Sequence, residues 1–191
     1  MEITGVFAKD LEIYLSDNKG HSGASRQSQV DIKKIAIKGN GILQKGKMYA
    51  FQYFTKLEKQ SDSFPIVIGL GNNGKNQLGL NLHYMPYNAR IQFLKELTKS
   101  LESQITLQLK DNKLGNPNIQ SQIDSFTWNN LNESFGKKYN LQYCIRQYNL
   151  NNMINVYNLG YEHWYLGAVN DENSFIGGNI NTIQSLFYKN I

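Results

Sequence analysis

The run Gly69-Leu70-Gly71-Asn72-Asn73-Gly74, set between Phe64-Pro65-Ile66-Val67-Ile68 and Leu78-Gly79-Leu80-Asn81-Leu82-His83-Tyr84, constrains this chain more than any other feature. Two apolar stretches of strand length joined by residues that tolerate positive φ make a hairpin. Just upstream, Met48-Tyr49-Ala50-Phe51-Gln52-Tyr53-Phe54 is aromatic-rich with partial alternation, which favours a third strand by propensity and period. The spacing predicts an antiparallel meander over Met48 to Tyr84, with Leu80, Leu82 and Tyr84 on one face and Asn81 and His83 on the other. The glycine run also spells G-x-G-x-x-G, but Lys75 to Leu80 lead into a strand. Phosphate binding by that motif needs a helix N-terminus directly after the glycines. A surface hairpin turn that binds no nucleotide is therefore expected.

Pro86 opens a helix whose Tyr87, Ile91, Leu94, Leu97 and Leu101 form one continuous face. Asp111 to Pro117 is a breaker cluster, and Ile119, Ile123, Phe126 and Leu131 mark a second helix within Asn118 to Phe135. Leu141 to Tyr157 shows no decisive period, Trp164 to Val169 reads as a short buried strand or apolar segment, and Ile180 to Tyr188 as a short helix. Before the meander, Ser16 to Gln29 has no apolar periodicity and many turn formers, and strand-like pieces flank it at Leu11 to Leu15 and around Ile32, Ile35 and Ile37. The expected organisation is an N-terminal arm over residues 1–46, with short strands and a flexible loop, and a single α+β core domain over residues 47–191. That core is a small, strongly curved antiparallel sheet of SH3-like kind packed by helices.

Chemistry-bearing residues are sparse. One cysteine, Cys144, excludes an intramolecular disulfide and a multi-cysteine zinc site, and its apolar neighbours predict a buried, inert thiol. His21, His83 and His163 are far apart and form no metal or triad pattern, so His83 is expected to be packed or hydrogen-bonded. No pair of catalytic groups assembles, and neither enzymatic activity nor a cofactor is expected. The start Met1-Glu2-Ile3-Thr4 carries no signal-peptide pattern, and no apolar run approaches the ~18 residues of a membrane span, so no membrane partner is expected.

The charge balance of 20 Lys+Arg against 15 Asp+Glu, net +5, favours anionic partners. Arginine occurs only as Arg26, Arg90 and Arg146, which disfavours bidentate guanine reading and leaves lysine for diffuse phosphate attraction. Basic residues gather at Lys33, Lys34 and Lys38, at Lys45 and Lys47, and at Lys137 and Lys138. The last group lies near Tyr139, Tyr143, Tyr148 and Arg146, a pattern that suits either a phosphate-tracking surface with stacking rings or a solvated face over a tyrosine-rich core.

Three blocks, Gly46-Lys47-Met48-Tyr49-Ala50-Phe51-Gln52-Tyr53, Phe64-Pro65-Ile66-Val67 and Gly79-Leu80-Asn81-Leu82-His83-Tyr84-Met85-Pro86 with Arg90, resemble a tailed-bacteriophage virion protein family. Its pattern is G-x-M-Y-x-F-x-Y, F-P-x-V and G-L-N-L-H-Y-x-P-x-x-x-R. Cys144-Ile145-Arg146-Gln147-Tyr148 and Glu162 to Gly167 extend the similarity, which spans Gly46 to Ile191. Some T4-like members carry the label DNA end protector protein, and similar chains occur in crAss-like phages. The resemblance implies a virion protein made in the bacterial host cytoplasm. The expected function is a non-enzymatic structural subunit at the portal, neck or tail connection. It would form a homo-oligomeric ring with other virion proteins through sheet edges and an assembly arm bearing Leu11, Ile13, Arg26, Ile35 and Ile37. The alternative is a DNA end protector protein that binds the packaged double-stranded genome terminus, with Lys137, Lys138 and Arg146 as nucleic-acid-binding candidates.

Overall fold

The computed structural model of the chain describes residues 6–35, 37–39, 41–54, 61–110, 119–169 and 175–176. Helices α1 (Val6–Asp17) and α2 (His21–Ile35) precede β1 (Ile37–Lys38), β2 (Met48–Tyr53), β3 (Ser61–Asp62), β4 (Ile66–Asn73) and β5 (Asn76–Asn81). Then follow α3 (Tyr87–Lys110), α4 (Ile119–Asn130), α5 (Gly136–Lys138), β6 (Ile145–Asn149), β7 (Met153–Leu159), α6 (Trp164–Val169) and β8 (Phe175–Ile176). The expected α+β class and antiparallel sheet are present. Six strands run in the order β1-β7-β2-β4-β5-β6, every described pairing is antiparallel, and β3 and β8 form a separate pair.

The sheet is strongly curled. Three strands separate β6 from β7, a distance of about 19 Å were the sheet flat. The 3-10 turn Leu150–Asn152 that joins them covers only about 6 Å. Curling brings Tyr148 of β6 onto β2, where its ring lies 5.0 Å from Phe51 and 5.1 Å from Tyr53, both edge-on. The sheet nevertheless stays open, with β1 and β6 as its edges.

Both faces of the meander are covered, which is why β2 alternates only partially in sequence. Met48 and Ala50 join Ile66, Ile68, Leu80 and Leu82 under the helices, while Tyr49 and Phe51 join Leu43, Val67, Tyr148, Met153 and Val156 inside the curl. Helix α3 contributes Phe93, Leu94, Leu97, Leu101 and Ile105 to the helix-covered core; the expected Leu94, Leu97 and Leu101 are on this face, whereas Tyr87 and Ile91 are only partly buried.

The structure departs from several sequence expectations. The strand expected at Leu11 to Leu15 is helix α1, the loop expected from Ser16 to Gln29 is helical except for the turn at residues 18–20, and Ile32 and Ile35, expected in a strand-like piece, lie in α2. The reason is packing: Phe7, Leu11, Tyr14 and Leu15 recur at helical spacing and face the core. Helix α2 buries Ala24 and Ser28, small residues that permit close approach to α6 rather than signs of a loop, together with the large Ile32. Tyr14 Oη donates to Asp31 Oδ2 at 2.6 Å, pinning α1 to α2, and the Tyr14 ring lies 5.3 Å from Tyr165 of α6. Trp164 to Val169 is a helix rather than a strand, because an apolar run buried at every position but Tyr165 has no period to read. The chain also leaves the sheet at Asn81: Leu82–Tyr84 is a 3-10 turn with all three residues buried, so the expected alternation ends there. The breaker cluster Asp111 to Pro117 and the expected helix Ile180 to Tyr188 lie outside the described residues.

Candidate nucleic-acid interface

Asn81 sets the first piece of local geometry. Its Oδ1 accepts from the His83 backbone N at 2.9 Å, capping the 3-10 turn, and its Nδ2 donates to Asp62 Oδ2 at 3.0 Å. His83 Nδ1 meets the same Asp62 oxygen at 2.7 Å, while Asp62 Oδ1 accepts from the Phe64 backbone N at 3.1 Å. The His83 and Asp62 side chains are 0% and 2% exposed, so this carboxylate is sealed among its donors. Burial, then the Asp62 charge, holds the Tyr148 phenol well above its ordinary pKa. Burial likewise raises the Cys144 thiol well above its usual value, against a weaker pull from Arg146 and Arg90, so it stays a protonated thiol. The cluster ties β3 and β5 to the turn that leads into α3. Among the described residues no group of three or more His, Cys, Asp or Glu side chains converges on a point that could hold a metal ion.

The three expected basic residues have different surroundings. Lys138 Nζ donates to Glu96 Oε2 on α3 at 2.5 Å, and this bond, more than anything else, lowers the Glu96 pKa. Arg146 is half-buried, its guanidinium carbon 3.7 Å from the Tyr84 ring centroid and its Nη1 donating to Ile145 O at 2.7 Å. Lys137 is exposed and lines a groove of about 530 Å³.

This groove is built by a strand irregularity facing a helix irregularity. In the β4–β5 ladder Gly69 pairs Gly79 and Gly71 pairs Leu78, leaving Leu70 as the extra residue of a β-bulge, re-aimed into the groove beside Leu80. The bulge depends on its glycines. A Cβ on Gly69 would stand 2.1 Å from the Gln44 carbonyl oxygen, and Gly71 adopts φ +103° beneath the Lys45 stem. Thus the G-x-G letters serve strand geometry; the turn proper is shorter than expected, and the ladder closes on Asn73 and Asn76. Opposite, α4 passes into a π-helical turn at Leu131–Phe135, and Trp128, Leu131 and Lys137, from before, within and after that turn, line the groove wall. Lys45 Nζ sits 4.5 Å over the Trp128 ring, and Lys47 pairs with Asp124 of the same helix at 3.7 Å.

Sequence reasoning missed Trp128, Lys45 and Leu70 as a group. A signal was present: Trp128 falls roughly 140° around the helix from Ile123, off the apolar face, where a large aromatic needs a reason. Of the assembly-arm residues, Leu11 is buried in the protein's own core, Ile13 and Ile35 are exposed on α1 and α2, and Ile37 in β1 pairs with Asn158. Arg26 lies on α2, its side chain outside the described residues.

No curated protein and no solved structure matches the chain. The family described as phage T4 terminal DNA protecting protein matches residues 10–120, more than half of the chain. That span reaches back into α1, beyond the Gly46 limit of the sequence resemblance, and includes the sheet wall of the groove. The chain belongs to the family of the phage T4 terminal DNA protecting protein.

Proposed function

We propose that this protein binds the ends of the double-stranded phage genome and shields them from nucleases, catalysing no reaction of its own. Family membership over residues 10–120 carries the reading. The chemistry agrees with it: the His83–Asp62 pair has the outline of a catalytic dyad but is sealed from solvent, and the Cys144 thiol is enclosed. Among the described residues, one open feature is a groove with an indole wall and cationic margin, materials suited to nucleic acid. The protein would act in the virion, where the packaged termini lie. The test is competition binding between a linear duplex with open ends and the same sequence closed by hairpin loops. Preference for open ends, with affinity falling as salt rises, is the expected result; equal affinity for both forms removes the function.

A second reading, a ring subunit at the portal or neck, has one observation in its favour. Ile13, Val30 and Ile35 are each more than 40% exposed on the two N-terminal helices, material for a contact with another virion protein. Sedimentation of the purified protein separates the two: a discrete closed oligomer without DNA supports the ring, and a monomer supports end binding.

A further inference from the structure

Phosphate charge cannot tell a duplex end from its interior, because every step along the backbone offers the same anions. What only an end presents is the open face of its last base pair and a nucleotide free to unstack. A protein that selects ends needs a surface that reads a base face. Resting on the end-binding reading above, we propose that the groove beside Trp128 receives one unstacked terminal nucleotide of a DNA duplex, its base against the indole and its phosphate toward Lys137.

The groove fits that occupant in size, surface and charge. About 530 Å³ is the scale of a small-ligand pocket, and Leu70, Leu131 and Leu141 give it the apolar floor that a base face requires. The amide side chains of Asn140 and Gln142 line it as well and supply donors and acceptors for a base edge. Lys45, bedded over Gly71, takes one face of the indole at 4.5 Å and adds a cation behind the aromatic wall, leaving the base the part of Trp128 that lines the groove, and Lys137 supplies another cation on the lining. Glu133 shares the lining and repels phosphate from its own position, which leaves the Lys137 side as the path for the backbone. An apolar side chain of a protein partner would use the floor and leave both cations and both amides without a role. Charge complementarity therefore favours a nucleotide.

The test uses the full chain and a short duplex carrying one unpaired fluorescent purine analogue at each end, with a hairpin-closed duplex as control. Binding should quench the analogue. Trp128→Leu should abolish the quenching and weaken end binding roughly five- to hundredfold, the range for loss of one base–aromatic stack, while hairpin-closed duplex binds as before. Lys137→Gln, an exposed change that leaves the fold intact, should weaken end binding and flatten its salt dependence. End preference and quenching that survive both substitutions overturn the groove assignment and leave end binding standing. If the wild type ignores duplex ends, the function fails, and the mononucleotide of the same analogue then decides the groove: quenching that depends on Trp128 upholds it, and no quenching overturns it.

Discussion

The Asp62–Asn81–His83 cluster and the Trp128 groove are built from similar materials, polar side chains beside aromatic rings, yet they differ in access to solvent. In the cluster each polar atom of Asp62 already has donors from its own chain, and burial fixes them. In the groove, Trp128 is half-buried, Lys137 is exposed, and the apolar floor is open. The lesson is that the residues with the most chemical reputation, a histidine and an aspartate, serve folding here. The residues with the least, a bulged leucine, two glycines and a tryptophan off its helix's apolar face, shape the open site.

This contrast breaks first in stability. Asp62→Ala removes the acceptor from His83, Asn81 and the Phe64 amide together, and should cost about 3–5 kcal/mol, read as a lowered denaturation midpoint. A loss below about 1 kcal/mol would mean that the cluster is not a structural node. Trp128→Leu should show the reverse profile, little change in midpoint and the loss of end binding described above. Gly71→Ala probes the join between the regions: a side chain at φ +103° costs of order 1–3 kcal/mol and displaces Lys45 from the indole, so both midpoint and end affinity should fall.

How legible these regions are in sequence follows from their physics. Alternation along Met48 to Asn81 reports the meander only in part, because both its faces are buried by different partners. Helix α2 reads as a loop because its core face is Ala24 and Ser28, residues whose value lies in how closely they let α6 approach, which composition does not show. His83 is packed and hydrogen-bonded as its sequence setting implies, but its partner Asp62 lies in a two-residue strand that only tertiary hydrogen bonds locate. The groove is hidden because the bulge at Leu70 and the π-helical turn at Leu131–Phe135 are departures from period, and periodicity is what a sequence displays. Lys137, Lys138 and Arg146 are near neighbours in sequence, yet their partners separate them.

Smaller effects sharpen that separation. Lys137→Ala should lower the slope of log affinity against log salt by about 0.9, one phosphate contact, whereas Lys138→Ala should leave the slope nearly unchanged because Glu96 already holds that ammonium. The Lys138–Glu96 pair is exposed and should contribute under about 1 kcal/mol. Since the folded-state pKa of Glu96 is lowered, its contribution is present above the ordinary carboxylate range and is lost as pH falls through the lowered value. Lys138→Ala should therefore lower stability slightly at neutral pH, and the difference from the wild type should vanish as pH falls through the lowered Glu96 value, as chemical denaturation across pH will show.

Digestion of a linear duplex by a processive exonuclease, with and without saturating protein, tests the central claim most directly. End binding through the Trp128 groove predicts that the wild type delays attack from the termini. It also predicts that Trp128→Leu, folded by its denaturation midpoint, gives markedly less delay, and that an internal nick remains open to digestion in both cases. Equal digestion with and without wild-type protein, or protection of nick and terminus alike, would contradict it.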